Sequence, residues 1–216
     1  MKPPRWLTVT LVALLVLSYP AVMHVLLTSG QWPVSTLLMG LAPLAALPLA
    51  LLAAGRIAWG MAMLVALIAA SGFGWNTMLR SQEWIYLMQN VSMQGLLAWG
   101  FGHTLLPGHE PLISQIARRV HGDDYSPAIA TYTLRATWAW AMFSLSMALM
   151  SVLLFAIAPL AVWSFFVNFV AFILLGLMFV LEYAVRRYCL RGEPHVPFFK
   201  SISLYWENGN RAKGKS

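Results

Sequence analysis

Apolar runs of roughly twenty residues alternate along this chain with short polar connections. The runs cover residues 6–27, 35–54, 57–75, 84–106, 136–155 and 160–183. A helix that crosses a bilayer needs about 20 mostly apolar residues, so the pattern predicts about six transmembrane helices. Trp6, Trp32, Trp59, Trp75, Trp84, Trp138, Trp163 and Tyr183 fall near run ends. Aromatic side chains at those positions are expected at headgroup depth. The second and third runs are separated by Gly55 and Arg56, which predicts a tight helical hairpin, with one long bent segment as the competing arrangement. The first run continues through Tyr19, Pro20 and Ala21 to Leu27, too long for the apolar core of a signal peptide, and is expected to be an uncleaved span.

One connection has a pattern of its own. Pro111 suits a first helical turn and Gly122 a stop. Between them Leu112, Ile113, Ile116, Ala117 and Val120 share one arc, and Ser114, Gln115, Arg118, Arg119 and His121 fill the other. This predicts an amphipathic interfacial helix over 111–121, on the cytoplasmic side. Ser126 and Pro127 then mark a new helix start that runs through Tyr132 and Arg135 into the fifth span. Its first turns should stand clear of the hydrocarbon.

Composition narrows the class. Apolar residues make up 60% of the chain and charged residues 10%. A soluble domain of this length has too little interior to hide that apolar fraction, so the fold class is all-α, a polytopic integral membrane protein. Residues 1–190 form a single transmembrane domain, and 191–216 a basic tail. The net charge of +7 does not indicate nucleic acid, because the basic residues flank the apolar runs. With both termini inside, Lys2, Arg5, Arg56, Arg118, Arg119, Arg135 and every basic residue from Arg186 onward are cytoplasmic, and Arg80 alone is outside. That bias predicts a bacterial inner-membrane orientation with both ends in the cytoplasm.

Candidate chemistry is sparse. The fourth span carries a polar stripe, Gln89, Ser92 and His103, which reads either as a path lining or as hydrogen-bonding glue between helices. His109, Glu110 and His121 are the candidates for general acid–base work at the inner interface. Arg118 and Arg119 are candidates for lipid phosphate, which guanidinium groups bind bidentately. His24 is expected to be packed and hydrogen-bonded. Glu182 is expected to pair with Arg186 four residues on. The single cysteine, Cys189, excludes an internal disulfide, and the histidine spacing, His195 included, matches no metal signature, so neither metal nor cofactor is expected.

From the fourth span onward the chain resembles a known family. The resembling stretches are Gly102-His103-Thr104-Leu105, Glu110-Pro111-Leu112-Ile113, Ala117-Arg118-Arg119-Val120-His121-Gly122, Tyr132-Thr133, Thr137-Trp138-Ala139-Trp140, Ala161-Val162-Trp163-Ser164 and Glu182-Tyr183. The family comprises small bacterial inner-membrane proteins. Their genes accompany type II fatty-acid and polyketide-like enzymes in clusters for aryl-polyene (xanthomonadin-like) pigment lipids. Leu134 stands where the family has a basic residue, so no arginine pair is carried over beside Arg135. The resemblance implies a pathway and no catalytic residue. The expected role is an accessory protein of acyl-chain or aryl-polyene lipid biosynthesis, with membrane lipids and soluble acyl-chain or polyketide-type enzymes as partners. The alternatives are a membrane acyl-type transferase using the inner-loop histidines, and a lipid carrier or flippase component.

Overall fold

The computed structural model describes residues 5–121 and 126–191, and among these it contains helices and no strand. Gly122, His195 and the tail from residue 192 lie outside the described residues. The helices are α1 (Arg5–Ser29), α2 (Pro33–Ala53), α3 (Ile57–Phe73), α4 (Trp75–Arg80), α5 (Gln82–Gly102), α6 (Leu112–His121), α7 (Pro127–Ile157), α8 (Leu160–Phe165) and α9 (Ala171–Cys189). A 3₁₀ turn, His103–Leu105, follows α5, and a π turn, Phe166–Val170, joins α8 to α9. Three stretches among the described residues are long and apolar enough to cross a membrane by length and composition. They are α2, α7 and the continuous Leu160–Cys189 run. Helix α3 is a shorter apolar helix.

Two sequence expectations about helix ends can be read directly. Helices α2 and α3 are separate, broken where Gly55 takes a left-handed φ of 76°. Ala, with a Cβ, resists that conformation. The two helices then pack so closely that a Cβ on Gly60 would meet the Leu52 side chain at 2.7 Å and the Pro48 carbonyl at 2.9 Å. Helix α7 starts at Pro127, with the Ser126 hydroxyl accepting from the Ile129 amide at 3.4 Å. Its 31 residues reach roughly 47 Å at 1.5 Å each, against a hydrocarbon core of about 30 Å.

The chain groups into two compact units. The first comprises Met1–Ser92 and Leu149–Ile173, the second Met93–Ala148 and Leu174–Ser216. In the first unit the core is Met23, Leu27, Leu87, Trp163 and Val167. Trp163 is 0% exposed, and its indole N–H donates to Ser151 Oγ at 3.1 Å. Its ring meets Phe155 and Tyr86 edge-on, at 5.0 and 5.8 Å between centroids. The residue sits near a helix end, but neighbouring helices cover it and a buried serine satisfies its one donor.

In the second unit Trp140 is the aromatic centre. It stacks on Phe101 and tilts against Phe179, with centroids 5.9 and 4.7 Å apart. Elsewhere in this unit α7 and α9 are joined by a polar bond: the buried Tyr132 hydroxyl donates to Glu182 Oε1. To the Arg186 that the sequence places four residues after Glu182, the structure adds a tyrosine fifty residues earlier, and Arg186 lies over the Tyr183 ring, 5.6 Å from its centroid.

Candidate functional site

The amphipathic connection belongs to the second unit, and distant hydroxyls set its geometry. The first amides of a helix have no partner within the helix. Here the Leu112 amide donates to Thr104 Oγ1 at 3.0 Å, and the Ile113 amide to Thr137 Oγ1 at 3.3 Å. Thr104 comes from the 3₁₀ turn and Thr137 from α7. One turn into α6, Ser114 and Thr133 share a hydroxyl–hydroxyl bond of 2.7 Å, and both are buried. Thr133 and Thr137 also donate back to carbonyls four residues earlier, at 2.9 and 2.8 Å. Helix α6 is thus fixed in position and in rotation against α7. Ser114, on the polar arc, is 4% exposed. A serine whose hydroxyl is fully bonded can be buried at little cost, and its small size lets the helices approach.

The candidate acid–base and phosphate groups sit around this braced helix. Glu110 forms an ion pair with Arg118, Oε1 to Nη2 3.0 Å. The Glu110 carbonyl accepts from Gln115 Nε2 at 2.7 Å, which holds the residue ahead of the helix. Arg118 and Arg119 are both exposed. His109 follows Gly108, whose φ of 87° turns the chain, and the His109 amide closes the turn onto the Leu106 carbonyl at 3.1 Å. That turn brings the His109 ring to 6.3 Å from the His103 ring, edge to face. His103 is itself fixed. Its Nδ1–H donates to the Trp99 carbonyl at 2.8 Å, and its ring stacks on Trp99 at 5.7 Å. His121 closes α6, and its side chain lies outside what the structure describes. Among the described residues no group of three or more His, Cys, Asp or Glu side chains is gathered as a metal ion would require.

The comparisons add no relative. No protein-family model, no curated protein and no solved structure matches this chain.

The polar stripe of the fourth span divides. Gln89 Nε2 donates to the Gly40 carbonyl on α2, Ser92 is exposed, and His103 belongs to the turn just described. Gln89 has a specific reason for its partner. Pro43 in α2 has no N–H, so the Met39 carbonyl four residues earlier loses its helical donor, and the ring disturbs this turn. The Tyr19 hydroxyl donates to Met39 O at 3.1 Å, and Gln89 serves the next carbonyl, Gly40 O. The Tyr19 hydroxyl thus satisfies the carbonyl that the proline leaves without its helical donor, and Gln89 adds a bond one residue on.

A second polar group in the first unit was not singled out from the sequence. His24 Nδ1 lies 2.9 Å from Ser164 Oγ, consistent with a packed histidine. Asn168 Nδ2 donates to both the oxygen and the carbonyl of Ser164, at 3.2 and 2.9 Å. The Tyr86 hydroxyl donates to Asn168 Oδ1 at 2.8 Å. Asn168 lies in the π turn, and such widened turns disturb the regular backbone ladder. Phe165 and Phe169 close over the His24 ring, at 6.1 and 5.6 Å. Ser164 and Asn168 are buried, so the arrangement joins helices rather than presenting chemistry at a surface.

Proposed function

We propose that this chain is a multi-pass protein of a bacterial cytoplasmic membrane, with six crossings and both termini inside. Its role is accessory. It holds soluble acyl-chain or polyketide-type enzymes, or their lipid-linked product, at the inner leaflet during acyl-chain or aryl-polyene lipid biosynthesis. The observation that carries this reading is α6, an amphipathic helix fixed by outside hydroxyls with charged and apolar side chains left on its surface. The basic residues of the flanks support the orientation.

Two measurements test it. A cysteine placed at Ser81 should react with an impermeant maleimide in intact spheroplasts, while the exposed Cys189 should react only after the membrane is opened. The reverse pattern overturns the orientation. Ser114→Leu should undock α6 and lower pigment-lipid yield at normal membrane abundance, and an unchanged yield overturns the role of α6.

A second reading, a membrane acyl-type transferase, is favoured by one observation: His103, held by the Trp99 carbonyl, lies beside His109. His103→Ala, His109→Ala, Glu110→Ala and His121→Ala variants separate the two readings. Normal yield in all four at normal abundance removes the transferase.

A further inference from the structure

We infer that the outward ridge of α7 binds one anionic phospholipid of the inner leaflet: Arg135 and Trp138 hold its phosphate and ester region, and Met142 and Leu145 carry an acyl chain. The inference rests on the reading above that α7 enters the membrane from the cytoplasmic side, and it names a ligand for that surface.

Rotation separates two sides of α7. Thr133 and Thr137 face α6, through the Ser114 hydroxyl and the Ile113 amide. At 100° per residue these threonines lie about 160° from Arg135, one in each direction. Arg135 therefore stands opposite the docked side. Trp138, Met142 and Leu145 share its side, and the four residues fit within an arc of about 80°. All four belong to the second unit, and all four are exposed. Trp138 is 52% exposed, a large area for an indole on a helix that is buried on its other side.

The polar groups of this ridge have no partner in the protein. Among the described residues the Arg135 guanidinium meets no carboxylate, hydrogen-bond acceptor or aromatic ring, and the Trp138 indole N–H has no acceptor. An outward indole at a membrane boundary finds its acceptor in lipid. A guanidinium offers phosphate a fork of parallel N–H donors. Trp138 lies about 4.5 Å deeper along the axis than Arg135, and Met142 and Leu145 follow at about 6 and 10 Å beyond Trp138. Cation, neutral donor, then apolar surface is the order in which a phospholipid presents phosphate, ester carbonyls and acyl chain. A soluble phosphate compound would occupy Arg135 alone and leave the apolar part of the ridge uncovered. The basic residues of the chain gather on this side of the membrane, where anionic lipid is attracted. The occupant is therefore an anionic phospholipid.

Native mass spectrometry of the full chain in detergent, titrated with phosphatidylglycerol or phosphatidylcholine, tests this. Arg135→Gln should lower phosphatidylglycerol retention about fivefold, as expected for one cation near an anionic surface, and phosphatidylcholine retention less than twofold. Arg135→Lys should recover only part of the loss, because an ammonium lacks the fork. Trp138→Phe keeps the ring and removes the donor, and should lower retention of both lipids roughly threefold. Equal losses of the two lipids in Arg135→Gln, full recovery in Arg135→Lys, or unchanged retention in Trp138→Phe each overturn the site. Full displacement of phosphatidylglycerol by inorganic phosphate at the same concentration would assign Arg135 to a soluble phosphate compound and overturn the lipid occupant. Failure of the underlying orientation looks different: Cys189 would react with the impermeant maleimide in intact spheroplasts, while the retention ratios of the variants in detergent stood as expected.

Discussion

The two units place hydroxyl and amide side chains among apolar ones for different ends. In the first unit they repair backbone. Tyr19 and Gln89 serve carbonyls around the Pro43 defect, and Asn168 bridges the π turn with help from Tyr86 and Ser164. Every one of those groups points into protein. In the second unit the hydroxyls of Thr104, Thr137 and Thr133 hold a separate helix in place, and the helix keeps an outer surface with Ile116, Arg118 and Arg119 exposed. Polar groups that correct a local defect leave nothing over for a ligand. Polar groups that position an element leave its far side available, which is why the second unit is the better place to look for function.

The sharpest way to break this comparison is at the first unit's centre. Trp163→Ala should destabilise the chain by about 3–5 kcal/mol, the range for a fully buried large aromatic, read by SDS or thermal unfolding in micelles. A loss below 1 kcal/mol would mean that the described core is not the stabilising one. In the second unit, Tyr132→Phe takes from Glu182 the hydrogen bond of a buried donor, and a loss of about 1.5–3 kcal/mol is expected. Tyr19→Phe should cost about 1 kcal/mol in the natural background. In a Pro43→Ala background it should cost much less, because residue 43 then supplies the amide that Met39 lacks. Equal costs in both backgrounds would reject the repair account. Thr137→Val should act locally, costing about 1 kcal/mol and raising amide exchange at Ile113 while the first unit keeps its protection. Arg135→Gln is the smallest, within about 0.5 kcal/mol on stability, so any loss of lipid retention it causes is not a folding effect.

Helix boundaries were largely legible in the residues. Gly55 marks the α2–α3 break, and Ser126 with Pro127 marks the start of α7, because both signals act within a few residues of chain. Periodicity also gave α6 its two arcs. What it could not show is which residues of the polar arc meet protein, since that depends on Thr133 and Thr137 from another helix. The same limit applies to Glu182: a local rule offers Arg186, and only the fold adds Tyr132. The Gln89, Ser92 and His103 stripe is real as a helical spacing, yet its members act separately, one on α2 and another in the turn beside His109. The π turn had one available signal, an asparagine amid aromatic and apolar residues of the last run, and its meaning depends on Ser164 and Tyr86 being close in space.

The join between α2 and α3 has a consequence for biogenesis. Only Ala54, Gly55 and Arg56 separate the two helices, and Gly60 packs against Pro48 and Leu52 with no room for a side chain. In the six-crossing arrangement such a pair has no loop long enough to be handled as two successive insertion events. It would leave the translocation machinery as a single hairpin, closed before lipid surrounds it, with Arg56 remaining on the side where synthesis began. Replacing Gly60 by a bulkier residue would then show itself first as a defect in delivery to the membrane, ahead of any loss in the finished protein.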